Sequence, residues 1–377
     1  MKKLITISVI VILLVIFLSF TGCLPEKSIK IGYVGPLTGR SSDIGISGRN
    51  GIILAVEEGN ASGGIGGNPI QLIGEDDHSD ANLALVADKK LVEEGVSVII
   101  GHMTSSASVA VMPFINSPQG KGILMVSPTT RTSKLTGIDD NFFAVIPPMK
   151  AATDAQAEYV SKLGIRKIVI LYDLANRDFA EDWASNFSAT YSALGGEIIG
   201  IRQFASGTSF SYLGIMGELS ALHPEGVLLI AGGVDAAMFC QQIHKVGLQA
   251  KIFSSSWAMT DDFLQTGGPT VEGVVFCNPV NPENHYPEYE QFVERYQQRF
   301  GKKPDFAAAY GHEAAEVVIT GLKLNSDYRQ LKHTILTKEI FPGLWGQYAF
   351  DSYGDAHREN FIFSVQGGKF KLVSNNE

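Results

Sequence analysis

Two stretches of this chain crowd hydroxyl groups together. GHMTSSAS sets Thr104, Ser105, Ser106 and Ser108 directly after the aliphatic run SVII, and SPTTRTSKLT sets Ser127, Thr129, Thr130, Arg131 and Thr132 directly after ILMV. Ser105 and Ser106 fall in the first turn of a helix predicted over 105–116. Backbone N–H groups are free there and the positive end of the helix dipole points outward, so with the hydroxyls the turn is suited to a carboxylate. Plain helix capping accounts for one hydroxyl, and each stretch has several. Both follow apolar runs that read as strands, and open parallel sheets bind ligands outside the carboxyl ends of their strands. The chemistry favoured is capture of a small anion.

Signatures of catalysis are incomplete. His312-Glu313 in HEAAE begins like a zinc-protease helix, but the residue four after His312 is Glu316, so the ligand pair is broken. There is no GxxxxGK[ST] run and no GxSxG, and GGIGG follows a helix and precedes a strand, the wrong order for a dinucleotide fingerprint. Glu75-Asp76-Asp77 lacks the spacing of a calcium loop. The expectation is therefore no enzyme, no metal and no cofactor. Cys240 and Cys277 match no metal spacing and read as buried thiols, with a disulfide left open. Two sequons, at Asn60 and Asn186, matter only in a host that glycosylates exported proteins.

The elements that must position these turns alternate strand and helix. Strands are predicted at 29–34, 70–76, 97–100 and 123–126, with helices near 45–60, 80–94 and 105–116 between and after them. A second set follows Pro147-Pro148: helix 149–163, strand 167–172, helix 178–194, strand EIIGIR, helix 210–221, strand 226–230, helix 235–246 and strand KIFSS. Near-continuous aliphatic strands joined by helices predict parallel sheets covered on both faces, hence an α/β fold of two doubly wound lobes. Helices near 286–299, 305–323 and 327–335 precede a strand-rich tail, which suits a chain crossing back to complete lobes already begun. With 377 residues, 45% of them apolar, two cores are affordable. A net charge of −9 with no basic tract excludes nucleic acid as a partner.

Residues 1–23 differ from the rest. Lys2 and Lys3 lead an aliphatic run to Phe20, followed by Thr21-Gly22-Cys23, the order of an export signal. Three outcomes stay open: lipidation of Cys23 at a lipobox-like site, a retained anchor helix, or cleavage leaving a free cysteine. Each places the remaining chain outside the cytoplasm.

Taken in order, IKIGYVGPLTGRSSDIG, GNASGGIGGNPIQLIGEDDHSDANLA, VIIGHMTSSAS, GILMVSPTTRTSKLT and YAFDSYGDA resemble the Leu/Ile/Val-binding protein family, the type I periplasmic-type receptors of branched-chain amino acid ABC importers. The resemblance spans nearly all of 29–373. It implies two lobes joined by three crossovers that close on a ligand, lobe 1 from 28–147 plus 279–335 and lobe 2 from 148–278 plus 336–377. It also implies a ligand α-carboxylate held at Ser105, with Ser106 beside it, and further contacts from Thr129, Thr130 and Arg131. Phe179 would cover the ligand, Tyr310 would stand near the cleft, and Ile44 replaces a family tyrosine. A permease and two ATPases would be the partners.

Departures from the family pattern bear on the ligand. Ser256 and Trp257 occupy the loop where an acid for the ligand's ammonium is expected, so Asp235 either supplies that charge or caps its own helix. Trp257 and Phe179 would give the pocket an aromatic wall, or belong to the core. Arg131 replaces a small hydroxylated residue; facing the cleft it would meet an extra ligand carboxylate, and facing solvent it would meet none. Ser79 and Thr104 stand where some relatives have a disulfide. The expected function is an exported solute-binding protein for a small amino acid-like or carboxylate ligand. A sensing domain of the same fold acting through a partner is the alternative, since the chain ends at VSNNE without a signalling segment.

Overall fold

The computed structural model describes residues 28–39, 41–279 and 285–373, so Cys23 and the N-terminal segment lie outside the described residues. Two parallel sheets repeat one order. In the first, β1 (Ile29–Gly35), β2 (Ile70–Asp76), β3 (Ile99–Ile100), β4 (Met125–Ser127) and β5 (Phe142–Ala144) lie as β2-β1-β3-β4-β5, all parallel. In the second, β6 (Lys167–Asp173), β7 (Glu197–Phe204), β8 (Gly226–Ile230), β9 (Lys251–Ser254) and β10 (Val275–Asn278) lie as β7-β6-β8-β9-β10, again parallel. The predicted α/β class with doubly wound sheets is the observed one.

Intervening helices are α1 (Ser42–Ala61), α2 (Ala81–Glu93), α3 (Ser105–Ile115), α4 (Met149–Lys162), α5 (Arg177–Ala193), α6 (Tyr212–Ser220), α7 (Gly233–Lys245) and α8 (Asp261–Gly267). Local chemistry sets several of their starts: Asp80, Ser211 and Thr260 each accept from backbone N–H groups of α2, α6 and α8. The middle strands are apolar throughout, as doubly covered parallel strands must be; Ile168 to Leu171 and Val227 to Ile230 are all fully enclosed.

After β10 the chain returns to the first sheet through α9 (Pro287–Phe300), α10 (Phe306–Leu324) and α11 (Leu331–Lys338). α10 packs along α1 with backbones almost touching. A Cβ on Gly51 would stand 1.9 Å from the Ala308 carbonyl oxygen, and one on Gly311 would stand 2.3 Å from that of Gly48. The tail then forms a hairpin of β11 (Ile340–Phe341) and β12 (Tyr348–Ala349), whose neighbour Phe350 meets Phe143 at 5.3 Å. Asp355 still bridges Ala144 of β5, so the chain leaves the first sheet after that residue. It then adds β13 (Phe361–Val365) and β14 (Phe370–Leu372) antiparallel to the edge of the second sheet at β10. This last return is secured by Arg358, whose guanidinium bonds the buried Glu313 carboxylate of α10 at 2.6 Å and lies 4.0 Å from the Tyr348 ring centre.

Cys240 and Cys277 are separate buried thiols, one in α7 and one in β10. No helix among the described residues is long and apolar enough to cross a membrane.

The α1–α10 approach tolerates no side chain at its crossing. Gly51→Ala should lower the stability to urea by about 1–3 kcal/mol. Gly217→Ala, on an open face of α6 with nothing within 4 Å of the added Cβ, should leave stability unchanged or raise it by up to about 1 kcal/mol.

Candidate functional site

In both sheets the order reverses beside the first strand, so the crevice falls at the carboxyl ends of β1 and β3 in one and of β6 and β8 in the other. These two edges meet. The loops after β3 and β4 carry the hydroxyl-rich turns, and opposite them stand the segment 173–179 after β6 and Ser255–Trp257 after β9.

The hydroxyls of the first edge chiefly knit the two turns together. Thr104 is the N-cap of α3, yet its side chain makes no capping bond. Ser105 Oγ accepts from the Arg131 N–H and donates to the Arg131 carbonyl, both at 3.0 Å. Thr129 Oγ1 donates to the Met103 carbonyl at 2.6 Å, while Thr130 Oγ1 lies 2.7 Å from Ser108 Oγ. Ser127 Oγ and Thr130 Oγ1 both donate to the His102 carbonyl.

Other groups cross to the second edge. Ser106 N–H donates to Asn176 Oδ1 at 3.1 Å, and Ser106 Oγ accepts from the Asp178 N–H at 3.0 Å. Asp182 of α5 receives Thr132 Oγ1 at 2.6 Å together with the N–H and hydroxyl of Ser133, and Lys134 pairs with Asp178. Through these bonds the first turn of α3 and the turn after β4 are shut against α5.

Arg131 lies inside this closure. It is 2% exposed, its Nη2 donates to the Pro148 carbonyl at 3.2 Å, and its Nη1 stands a long 3.5 Å from Ser256 Oγ. Nε has no partner. The guanidinium lies 5.7 Å from the Trp183 ring centre. Burial pulls its pKa down to about 10, opposed only by Tyr310 and Cys277, neither of them ionised at neutral pH. Around it, Phe179 meets Trp183 at 5.4 Å and Trp257, edge-on, at 5.8 Å. Trp183 is fixed by donating to Gln156, which in turn donates to the Ser254 carbonyl. Tyr310 OH, Ser255 Oγ and Asn278 Oδ1 are further buried polar atoms without a partner.

Asp235 sits in the first turn of α7. Its Oδ2 accepts from Ser206 Oγ at 2.6 Å and its Oδ1 from Tyr212 OH, and the N-cap of α7 is Gly232. Tyr310 of α10 lies against Trp345 at 5.3 Å, and Ile44 is buried in the first turns of α1.

The incomplete zinc helix also has a structural setting. Glu58 of α1, His312 and Glu316 bring ligand-capable atoms within 4.8 Å of one another. Glu58 is already paired with His312 at 3.0 Å and with Arg295 at 2.7 Å, so it joins three helices.

A family model described as periplasmic binding protein matches residues 28–369. The chain belongs to the periplasmic binding protein family. It is similar to Leu/Ile/Val-binding protein homolog 2 of Brucella abortus (strain 2308), 24% identical over 361 residues that cover 89% of each chain. Among solved structures it resembles the branched-chain amino acid transporter substrate binding protein LivJ of Streptococcus pneumoniae in complex with isoleucine, at TM-score 0.83 and 23% identity, covering 92% of this chain and 99% of that one. It also resembles an R. palustris ABC transporter solute-binding protein in complex with benzoate, at TM-score 0.81 and 19% identity, covering 92% and 95%. Both solved relatives are substrate- or solute-binding proteins of ABC transporters, and the fold is that of the type I periplasmic binding proteins.

Sequence reasoning missed Asn176, Asp178 and Asp182, which bond across the cleft, and Trp183 and Gln156, which back it on the second edge. For Asn176 and Asp178 the signal was the polar segment LANRD leaving the carboxyl end of β6, the same position in the second sheet as the hydroxyl turns in the first. It missed His102 as well. This ring is completely enclosed between Asp77 at 2.9 Å and Asp88 at 3.2 Å. Burial alone would lower its pKa, but the Asp88 charge and the bonds to both carboxylates push it up to about 10 from the ordinary 6.5.

Because the folded value lies above the unfolded one, the stability His102 contributes is complete below about pH 6.5 and is lost as pH rises through about 10. NMR of the ring should show a protonated imidazolium throughout pH 6–8. His102→Ala, which strands two buried carboxylates, should cost about 3–5 kcal/mol in urea denaturation.

Proposed function

We propose that this chain is the extracytoplasmic capture subunit of an ABC importer. It takes a small amino acid-like or carboxylate ligand between two lobes, one built on each main sheet, and presents the closed form to a permease driven by ATPases. Tethering at the outer face of the cytoplasmic membrane through Cys23 or a retained helix belongs to the same reading.

The observation that carries it is the enclosed guanidinium of Arg131 between two sheet edges, with an unpartnered Nε and hydroxyl-bearing turns around it. A carrier of this kind needs donors that are preorganised on one half and covered by the other, so that binding energy is gained as the halves meet. Here Ser105, Thr129, Thr130 and Arg131 come from the first edge, and Phe179, Trp183 and Trp257 from the second. The ligands of the similar structures, isoleucine and benzoate, share a carboxylate.

A ligand that binds only the folded protein stabilises it by about 2.7 kcal/mol at a hundred times Kd. In a thermal-shift screen of the full chain against amino acids and organic acids, a matching ligand should therefore raise Tm progressively with concentration. Ser105→Ala should weaken that response. If a well-folded protein shows no shift with any compound of the screen, the capture reading fails. Asp182→Ala, which removes three bonds across the closure, should raise Kd roughly three- to tenfold by depopulating the closed form, read as a titration midpoint.

A further inference from the structure

Resting on that reading, we infer that the cleft selects a monocarboxylate with an aromatic or branched apolar body and no α-ammonium group. The argument is a charge count within the closure. Arg131 brings one positive charge that remains at neutral pH. Burying a charge without a counterion is strongly unfavourable, and pairing it in a bidentate, charge-assisted hydrogen bond removes that cost. Its protein contacts are one carbonyl, one long approach to a hydroxyl and the face of Trp183. None of these is anionic. One carboxylate on the ligand would satisfy it, using the unpartnered Nε edge.

A zwitterionic amino acid would bring a second cation into the same enclosure, and that cation needs an acid of its own. The acids at the two edges other than Asp43 already pair with a cation or accept several hydrogen bonds. Asp235 is held by the Ser206 hydroxyl and Tyr212, and Asp173 by the backbone N–H groups of Ser206 and Ala175. Asp178 pairs with Lys134, and Asp182 takes the bonds of Thr132 and Ser133. Asp43, at the start of α1, faces Thr260 with Asp262 and Asp305 about it, and it exerts no pull on Arg131. The position where an acid is expected carries Ser256 and Trp257 instead.

A dicarboxylate fails the same count from the other side, since the guanidinium that shares Tyr310 with Arg131, that of Arg358, is already paired with the buried Glu313. Trp183 stands beside Arg131, and Phe179 and Trp257 continue from it as one aromatic cluster. An apolar body gains by burial against such a cluster, and a polar one does not.

Matched pairs that differ only by the ammonium group test this on the full chain by isothermal titration: 4-methylpentanoate against L-leucine, and 3-phenylpropanoate against L-phenylalanine, with benzoate and glutarate alongside. The deaminated member should bind roughly a hundredfold more tightly than its amino acid, and glutarate should bind more weakly than either monocarboxylate. Arg131→Met should abolish monocarboxylate binding while Arg131→Lys, which keeps the charge, should retain part of it. Tighter or equal binding of the amino acids overturns the inference and leaves the capture reading standing, and loss of that binding in Asp43→Asn would then locate the ammonium partner. Failure of every compound on folded protein overturns both.

Discussion

Each main sheet is built so that its first five strands run parallel, and this places the carboxyl ends of all five on one edge. Everything functional in the molecule depends on that constraint. A parallel strand leaves its loop at the carboxyl end and returns through a helix on a face, so polar turns collect along one edge while the strands stay apolar. Repeating the order 2-1-3-4-5 in two sheets creates two such edges. Bringing them together sets the polar turns of one beside the aromatic cluster of Phe179, Trp183 and Trp257 on the other.

The hydroxyl-rich turns hold the geometry more than they cap a helix. Ser105, Ser108, Thr129 and Thr130 spend their bonds on each other and on backbone carbonyls at 102–104 and 131. Beneath them, the imidazolium of His102 joins Asp77 and Asp88 inside the first sheet. The backbone around Arg131 is thereby set from three sides before any ligand arrives. Preorganisation of this kind lets a long side chain act as a fixed donor.

Fold class and the two hydroxyl-rich turns at the sheet edge were legible in the sequence because both follow from periodicity and from local turn chemistry. SVII, ILMV, KIVILY and GVLLI read as buried parallel strands, and they are. The Ser105 and Arg131 turns stood out because several hydroxyls cluster where one cap suffices. The partners across the closure were not legible. Whether Asn176 or Asp182 meets the first turn depends on how two edges face each other, and no sequence period encodes that angle. Asp235 shows the same limit: its spacing from β8 allowed an exposed charge, but Ser206 and Tyr212, brought by β7 and α6, enclose it. The approach of α1 to α10 rests on glycines far apart in the chain and was invisible for the same reason.

Closure draws on two unequal kinds of interaction. The bonds of Asn176, Asp178 and Asp182 lie nearer the rim, and Lys134, half exposed, gives a pair of the kind that contributes little. Against them stands the desolvation of Arg131, which is large and falls due only when the second edge covers the first. An apolar ligand would leave that penalty in place, and a zwitterion would add a second charge to it. An anion of the right shape removes it at the moment of closing. In the proposed reading the ligand's charge is thus coupled to the conformational step itself, because the guanidinium that would meet the carboxylate is also the group whose burial opposes closure without one.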